Sequence, residues 1–169
     1  GKGIWYSVFH SISAFCNAGF DLMGFRGECS SLTTLVSNVY VNLVLCSLII
    51  IGGLGFFVWK NILDSKFKFK KMNLHAKLVI VVSITLVVFG TLVLFIFGLN
   101  SDAYNGLSVP EKVLASFFQS VSTRTAGFNT VDLAKINEAS KFLMICLMLV
   151  GGSPGSTAGG MKTTTFAVL

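Results

Sequence analysis

The sequence predicts an all-α integral membrane protein in which spanning helices alternate with short helices that enter the membrane and return. Hydrophobic residues make up 53% of the 169-residue chain and charged residues only 12%, which is more apolar than a typical soluble domain. Residues 29–59 and 78–100 contain no Asp, Glu, Lys or Arg. Each run is long enough for a helix to cross ~30 Å of hydrocarbon. Two shorter apolar segments, each followed by a polar stretch with a glycine, complete the pattern.

The formal net charge of +6 indicates how the chain is oriented in the membrane. Between the two uncharged runs, only Asp64 opposes a cluster of lysines, namely Lys60, Lys66, Lys68, Lys70, Lys71 and Lys77. Short cytoplasmic loops carry such an excess of basic residues, so residues 64–77 are predicted to form a cytoplasmic basic loop. Because the basic residues cluster in this loop and are not interleaved with stacking aromatic residues, we expect a lipid bilayer as the surrounding medium and no nucleic-acid partner.

The cysteines and the chain ends exclude some other classes of protein. Cys16, Cys29, Cys46 and Cys146 show no CxxC or Cys/His ligand spacing, so neither a disulfide framework nor a metal-ligand cluster is expected, and no cofactor is expected. The chain begins at Gly1 without a signal peptide and ends in the apolar sequence FAVL. Both ends are therefore expected to be cuts within a longer membrane protein.

The second half of the chain predicts an ordered path through the membrane. With the basic loop in the cytoplasm, residues 78–99 cross outward and residues 100–110 lie outside. Residues 110–121 begin with a proline and an acid suited to a helix start, but they are too short to span, so they are predicted to form a re-entrant helix. The polar residues 122–130 follow as an extended segment. A new apolar helix, beginning at residues 142–150, then returns inward.

The first part of the chain repeats this order. The sequence FHSIS at residues 9–13 resembles FQSVS at residues 118–122, and AGF occurs at both 18–20 and 126–128. Each copy is followed by a charged polar stretch and then by an apolar helix. A separation of a little over one hundred residues corresponds to a whole membrane hairpin, as in membrane proteins built from internal repeats.

The two AGF segments are candidate ion-filter segments. Extended backbone is tolerated inside a membrane only where it is buried in protein or lines a watery cavity, and a ring of backbone carbonyls can replace the hydration shell of a cation. Glycine also permits backbone angles that strain other residues. The alternative is that each AGF is a tight turn at a helix end, but two copies in one topological context favour the filter. The predicted ion-contacting residues are Asn17, Ala18, Gly19, Thr125, Ala126 and Gly127.

Phe20, Arg124 and Phe128 flank these segments and are predicted to support the filter. An unpaired arginine facing the pathway would repel a permeating cation and would be costly inside a membrane. Arg124 is therefore expected to point away from the pathway and to tie the filter to the protein behind it, through Glu111 or Asp132.

A glycine-rich segment interrupts the last predicted helix and is a candidate gate. Its residues are Gly151, Gly152, Ser153, Pro154, Gly155, Ser156, Thr157, Ala158, Gly159 and Gly160. Five glycines and a proline in ten residues make a continuous helix improbable. A flexible loop of small residues beneath a filter could obstruct the pathway and move aside. The alternatives are close helix packing and a phosphate-binding loop, but the latter fails because Met161 separates Gly160 from Lys162.

Three of these motifs resemble the Trk/Ktr/HKT family of potassium transporters: NAGF at 17–20, TRTAGFN at 123–129 and GGSPGSTAGGMK at 151–162. The resemblance implies four membrane-pore-membrane repeats around one pore, a potassium-channel-like architecture. It then makes residues 1–63 the pore helix, filter and inner helix of the second repeat. Residues 78–169 become the outer helix, pore helix, filter and broken inner helix of the third.

The resemblance also implies the functional partners. Gly19 and Gly127 become the filter glycines of their repeats, and residues 151–160 become an intramembrane gate controlled by a cytoplasmic nucleotide-binding regulatory subunit. The expected assembly is a homodimer in which the remaining repeats of the same polypeptide complete the pore. Potassium is the transported substrate, and the expected location is the plasma membrane, which the chain crosses several times.

Three other functions compete with potassium uptake. A sodium-selective or sodium-coupled transporter of the same fold remains open, because the sequence does not show filter geometry. A membrane enzyme would need a nucleophile with a base, or paired carboxylates, within the membrane region, whereas the acids here fall in predicted loops or helix starts. A structural scaffold would not explain two dipping helices each followed by AGF. No enzymatic activity is expected.

Overall fold

The computed structural model describes residues 2–26 and 31–168, in which every regular element is a helix. Residues 27–30, which include Cys29, and the terminal residues Gly1 and Leu169 lie outside this description. The α-helices are α1 (Lys2–Phe15), α2 (Val39–Leu54), α3 (Phe56–Asp64), α4 (Leu74–Gly98), α5 (Val109–Ser122), α6 (Glu138–Leu149) and α7 (Thr163–Val168). Across the described ranges, the extended pairing is limited to an isolated bridge between Val150 and Met161. The all-α prediction is confirmed.

Helix α4 matches the predicted outward span. It has 25 residues and is the one described helix that is, alone, long and apolar enough to cross a membrane. The helix exposes large apolar side chains, including Val81, Ile84, Val88, Phe89, Leu92 and Ile96. A water-soluble surface rarely carries so continuous an apolar patch, and hydrocarbon is the medium that would accept it.

The other uncharged run is bent. Helices α2 and α3 together are apolar and long enough for one span, but their axes meet at 92°. Gly55 lies at the junction with φ of +84°, a conformation that favours glycine. Gly52, one turn earlier, has no room for a side chain because a Cβ atom would overlap the Phe15 carbonyl oxygen. The glycines at residues 52–55 therefore provide both a close approach and a bend.

Helix α5 begins and ends where its sequence predicts. Ser108 and Glu111 form a capping box at its start, with Pro110 in the first turn. Hydrogen bonds from the hydroxyls of Ser37 and Ser108, followed by the Ser108 main-chain N–H, lower the pKa of Glu111 to about 2. The helix ends at Ser122, directly before the second candidate filter segment. Helix α1 occupies the same position before the first.

The core holds α5 against α4 and joins the two repeats. The Ser120 hydroxyl donates to the Val87 carbonyl of α4 at 2.9 Å, and Gly90 leaves the space for this approach. A cluster of buried side chains then connects these helices to α1 and α2, and its members include Ala14, Leu45, Cys46, Ile49, Val87, Phe118, Val121, Ala126 and Phe128. Both candidate filter segments are thus anchored in one core.

Candidate ion filter and gate

The two candidate filter segments share an unusual backbone conformation. In the first, Asn17 and Gly19 have φ of +51° and +71°. In the second, Thr125 and Gly127 have φ of +84° and +88°. The alanine between each pair keeps negative φ. The two segments therefore share an alternation in the sign of φ, which regular helices and strands do not have. For Thr125, a β-branched residue, this conformation is strained.

A serine at the end of each short helix holds the chain in this shape. The Ser13 hydroxyl donates to the Phe20 carbonyl oxygen at 2.8 Å, and the Ser122 hydroxyl donates to the Phe128 carbonyl oxygen at 2.5 Å. The main-chain N–H of Ala18 bonds the Ser13 carbonyl at 2.9 Å. The equivalent Ala126 bond, to the Ser122 carbonyl, has the same length. The sequence repeat aligned these serines, but nothing in the sequence showed that their hydroxyls reach past the filter glycine.

The carbonyl oxygens of the filter residues are left without donors. Across the described residues, no hydrogen bond reaches the main-chain oxygens of residues 17–19 or 125–127. Their neighbours Phe20 and Phe128, by contrast, have carbonyls bonded by the two serines. Asn17 and Ala126 are buried, whereas Ala18 and Gly127 are exposed. Carbonyls that receive no protein donor at the same place in both copies are available to a ligand that binds oxygen lone pairs.

The two segments also meet each other. A side chain on Gly19 would overlap the Ala126 carbonyl oxygen, which lies against the Gly19 Cα. A Cβ atom on Gly127 would lie 3.7 Å from the same Cα. Gly19 of the first segment thus lies against Ala126 and Gly127 of the second, although about a hundred residues separate them in sequence.

The short helices favour a positively charged ligand there. Helices α1 and α5 end at Phe15 and Ser122, a few residues before the two candidate filter segments. The C-terminal end of a helix carries a partial negative charge, which favours a cation and disfavours an anion.

The phenylalanines that follow the two glycines have different surroundings. Phe128 is fully buried in the core cluster, directly behind the second filter segment. Phe20 has 70% of its surface exposed, and the Ser13 hydroxyl is one of the polar groups that hold the first segment.

The hydrogen-bond partners of Arg124 differ from those expected. Its guanidinium donates to the Ser83 carbonyl and hydroxyl oxygens at 3.4 Å, and to the Gly151 carbonyl at 3.3 Å. The expectation of a bond to Glu111 or Asp132 is wrong. Glu111 caps α5, and Asp132 bonds the Ala134 N–H and Lys135 instead. Main-chain and hydroxyl oxygens stabilise a buried guanidinium without placing an acid beside a cation pathway.

The candidate gate is non-helical, as its glycine and proline content predicts. Helix α6 ends at Leu149 and α7 begins at Thr163. The intervening chain forms a loop closed at its base, where the Gly151 N–H donates to the Met161 carbonyl at 2.9 Å and the Met161 N–H donates to the Leu149 carbonyl at 3.1 Å.

The loop rests on the bend between α2 and α3. The Ser153 N–H donates to the Gly53 carbonyl at 3.0 Å, and the Phe56 N–H donates to the Gly155 carbonyl at 3.0 Å. The Ser153 hydroxyl also donates to the Leu54 carbonyl. The bend and the loop therefore satisfy each other's main-chain groups. The sequence predicted neither contact, because each joins residues about a hundred positions apart.

Comparison with known proteins identifies the family of the chain. The TrkH family model, described as a cation transport protein, matches residues 2–169. The chain is 44% identical over 168 residues to the potassium/sodium uptake protein NtpJ of Enterococcus hirae, a match that covers 99% of this chain and 36% of that protein. It is 39% identical to the Ktr system potassium uptake protein B of Vibrio alginolyticus, with 98% and 36% covered.

A solved structure shows the same fold. The crystal structure of the potassium transporter TrkH from Vibrio parahaemolyticus matches with a TM-score of 0.75 and 24% identity, covering 95% of this chain and 33% of that one. The chain thus spans about a third of the length of the proteins that it matches. Because the family model covers nearly every residue and these curated relatives exceed 30% identity, the chain belongs to the TrkH family of cation transport proteins.

Proposed function

We propose that this chain forms part of a potassium uptake pore whose filter is lined by the main-chain carbonyls of residues 17–19 and 125–127. The observation that carries the proposal is the set of carbonyls without donors at equivalent places in both copies. A dehydrated cation would supply the missing partner, and the helix ends around the filter favour its charge. Transport down an electrochemical gradient needs no covalent chemistry, and the family is one of transporters rather than enzymes.

Sodium is the second candidate ion. One relative is named a potassium/sodium uptake protein, whereas the Ktr relatives are named for potassium alone. A carbonyl filter distinguishes the two ions through the number and spacing of its oxygens, and two segments provide only part of that set. We prefer potassium as the substrate because the Ktr relatives and the TrkH structure are all named for potassium.

The proposed architecture is a set of membrane-pore-membrane repeats in the plasma membrane, crossed several times. Residues 1–63 would form the pore helix, filter and inner helix of one repeat, and residues 78–169 most of the next. The basic loop proposed at residues 64–77 contains the connection from α3 to α4. Two filter segments cannot enclose an ion, so the remaining repeats of the same polypeptide would complete the ring.

The loop at residues 151–160 is proposed to gate this pore. It lies between the filter and the bend of α2 and α3, and it is held mainly by main-chain hydrogen bonds that can exchange with water. A cytoplasmic nucleotide-binding regulatory subunit and a homodimeric assembly are included in the proposal on family grounds. Several relatives are named as components of a Ktr system.

Cation flux through the intact protein in liposomes tests both parts. Wild type should pass potassium or rubidium in preference to sodium, Gly127→Ser should reduce that preference, and a deletion within residues 151–160 should raise flux. Gly106→Ser is the matched control, because Gly106 also has positive φ of +81° but has open space around it, outside the filter. Absence of cation flux in wild type, or equal selectivity in Gly127→Ser and Gly106→Ser, would overturn the proposal.

A further inference from the structure

The side chain of Thr157 connects the candidate gate loop to the first filter segment. Its hydroxyl accepts a hydrogen bond from the Asn17 side-chain amide at 2.9 Å and donates one to the Phe15 carbonyl at 3.0 Å. Phe15 is the last residue of α1, and Asn17 is the first residue of the filter segment. One hydroxyl of the loop therefore contacts both the end of the pore helix and the start of the filter.

This contact restrains the side chain of Asn17, whose backbone has positive φ. Asn17 has φ of +51° and is buried, and its side-chain oxygen has no partner among the described residues. A non-glycine residue holds positive φ only when its surroundings stabilise it. The bond to Thr157 is the hydrogen bond that the structure gives the Asn17 side chain, so the loop supplies the side-chain restraint on this conformation.

The space around the contact is closed by Gly52 of α2. A side chain on Gly52 would overlap the Phe15 carbonyl oxygen and would lie 3.0 Å from the Thr157 hydroxyl. The pore helix, the inner helix and the loop thus converge at one point. Thr157 reaches Asn17 only while the loop is seated against α2.

We infer that Thr157 couples the gate loop to the first filter, so that a cation bound in the filter favours the seated loop and displacement of the loop weakens cation binding. The inference rests on the proposed function and adds a positioning residue to it. A bound cation and the Thr157 bond both favour the same conformation of Asn17, and two effects that favour one state are positively coupled. Coupling between two sites is reciprocal, so each side can be measured from the other.

A cysteine reporter in the loop measures the coupling from the gate side. Ala158 is buried in the seated loop, so the thiol of Ala158→Cys should be accessible to a reagent only when the loop is displaced. In the intact protein, potassium should slow modification of this thiol by about three- to tenfold, the effect of one hydrogen bond. The modification rate of the native cysteines, measured in the protein without the reporter, is subtracted.

Substitutions of Thr157 test whether that residue carries the effect. Thr157→Val should abolish the protection by potassium and lower the apparent potassium affinity, measured by thermal stabilisation, by a similar factor. Thr157→Ser retains the hydroxyl and should restore both. Thr165→Val is the matched control, since Thr165 is an exposed threonine of α7 outside the loop.

A second variant keeps the test decisive if Thr157→Val does not fold. Asn17→Gly removes the amide but accepts positive φ without strain, so it should also abolish the protection. If potassium protects the reporter equally in wild type and in either variant, or protects it in none of them while potassium is transported, the coupling is refuted. That result would leave the filter and the gate in place, whereas a protein that neither binds nor transports potassium would refute the proposed function itself.

Discussion

The first filter segment, at residues 17–19, has fewer neighbours behind it than the second, at residues 125–127. Phe128 is fully buried behind the second segment, and α5 packs along α4. Phe20, after the first segment, is 70% exposed. Both segments nevertheless have the same alternation of φ and the same serine-to-carbonyl bond. The comparison teaches that the same local backbone shape, with its glycine and serine, forms in both candidate segments although the packing of the following phenylalanine differs.

The largest expected difference between the two copies concerns the phenylalanines. Phe128→Ala should destabilise the intact protein by about 3–5 kcal/mol, because it leaves a cavity in the core. Phe20→Ala should change stability by no more than about 0.5 kcal/mol, as for an exposed side chain. Thermal unfolding in detergent measures both. Equal losses would show that Phe20 is buried by other parts of the protein and that the contrast drawn here is false.

The second-largest difference is expected between alanine substitutions of the two candidate filter glycines. Gly19→Ala and Gly127→Ala both place a side chain at positive φ, which costs about 1–2 kcal/mol. Only the Gly19 substitution also overlaps the Ala126 carbonyl oxygen. Gly19→Ala should therefore reduce potassium selectivity more than Gly127→Ala, with Gly106→Ala as the control for backbone strain alone. The ratio of rubidium to sodium flux in liposomes is the measurement, and a larger loss in Gly127→Ala would contradict the contact between the two segments.

The serines should have smaller and more similar effects. Ser13→Ala and Ser122→Ala each leave a carbonyl without its donor, at about 1 kcal/mol. Ser122→Ala should lower the stability more than Ser13→Ala, because Ser122 and its partner Phe128 are both buried. Ser47→Ala is the control, since that exposed hydroxyl bonds a carbonyl of its own helix. Unfolding temperatures provide the comparison, and an unchanged value for both filter serines would show that the shared bond does not hold the filter.

The smallest effect concerns the capping box at the start of α5. Hydrogen bonds lower the pKa of Glu111 from an ordinary value of 4.5 to about 2, so its contribution to stability is present above about pH 4.5 and is lost as the pH falls towards 2. The unfolding temperature of wild type should exceed that of Glu111→Ala by a few degrees at most near neutral pH.

This difference should narrow as the pH is lowered through that window. Glu111→Gln can still cap the helix but does not titrate, so its margin over Glu111→Ala should be independent of pH. A wild-type margin that persists at pH 2 would contradict the role of the ionised carboxylate.

Local patterns explain how much of this molecule the sequence predicted. The charge-free run at residues 78–100 predicted α4, and Pro110 with Glu111 predicted the start of α5. The two AGF motifs predicted two equivalent non-helical segments, and the density of glycines predicted a break after Leu149. Each of these features depends on residues that are close in sequence, so hydrophobicity, helix capping and backbone freedom are enough to predict it.

The features that the sequence did not reveal depend on long-range contacts. The uncharged run at residues 29–59 resembled one span, but its helix turns at Gly55, where the loop supplies the hydrogen bonds that the helix gives up. Arg124 was expected to pair with an acid, yet it bonds the oxygens of Ser83 and Gly151. Many oxygens can satisfy a guanidinium, so residue type alone did not identify its partners.

The exchange of main-chain hydrogen bonds between the loop and the bend has a consequence for protein engineering. Gly53 and Leu54 accept hydrogen bonds from Ser153, and Phe56 donates one to Gly155. Consider a chimera that takes the loop from a relative but keeps residues 52–56 of this chain. Its loop and its bend would come from different proteins, and their hydrogen bonds would not match. The unit that can be transplanted is therefore the pair of segments, although about a hundred residues separate them in the chain.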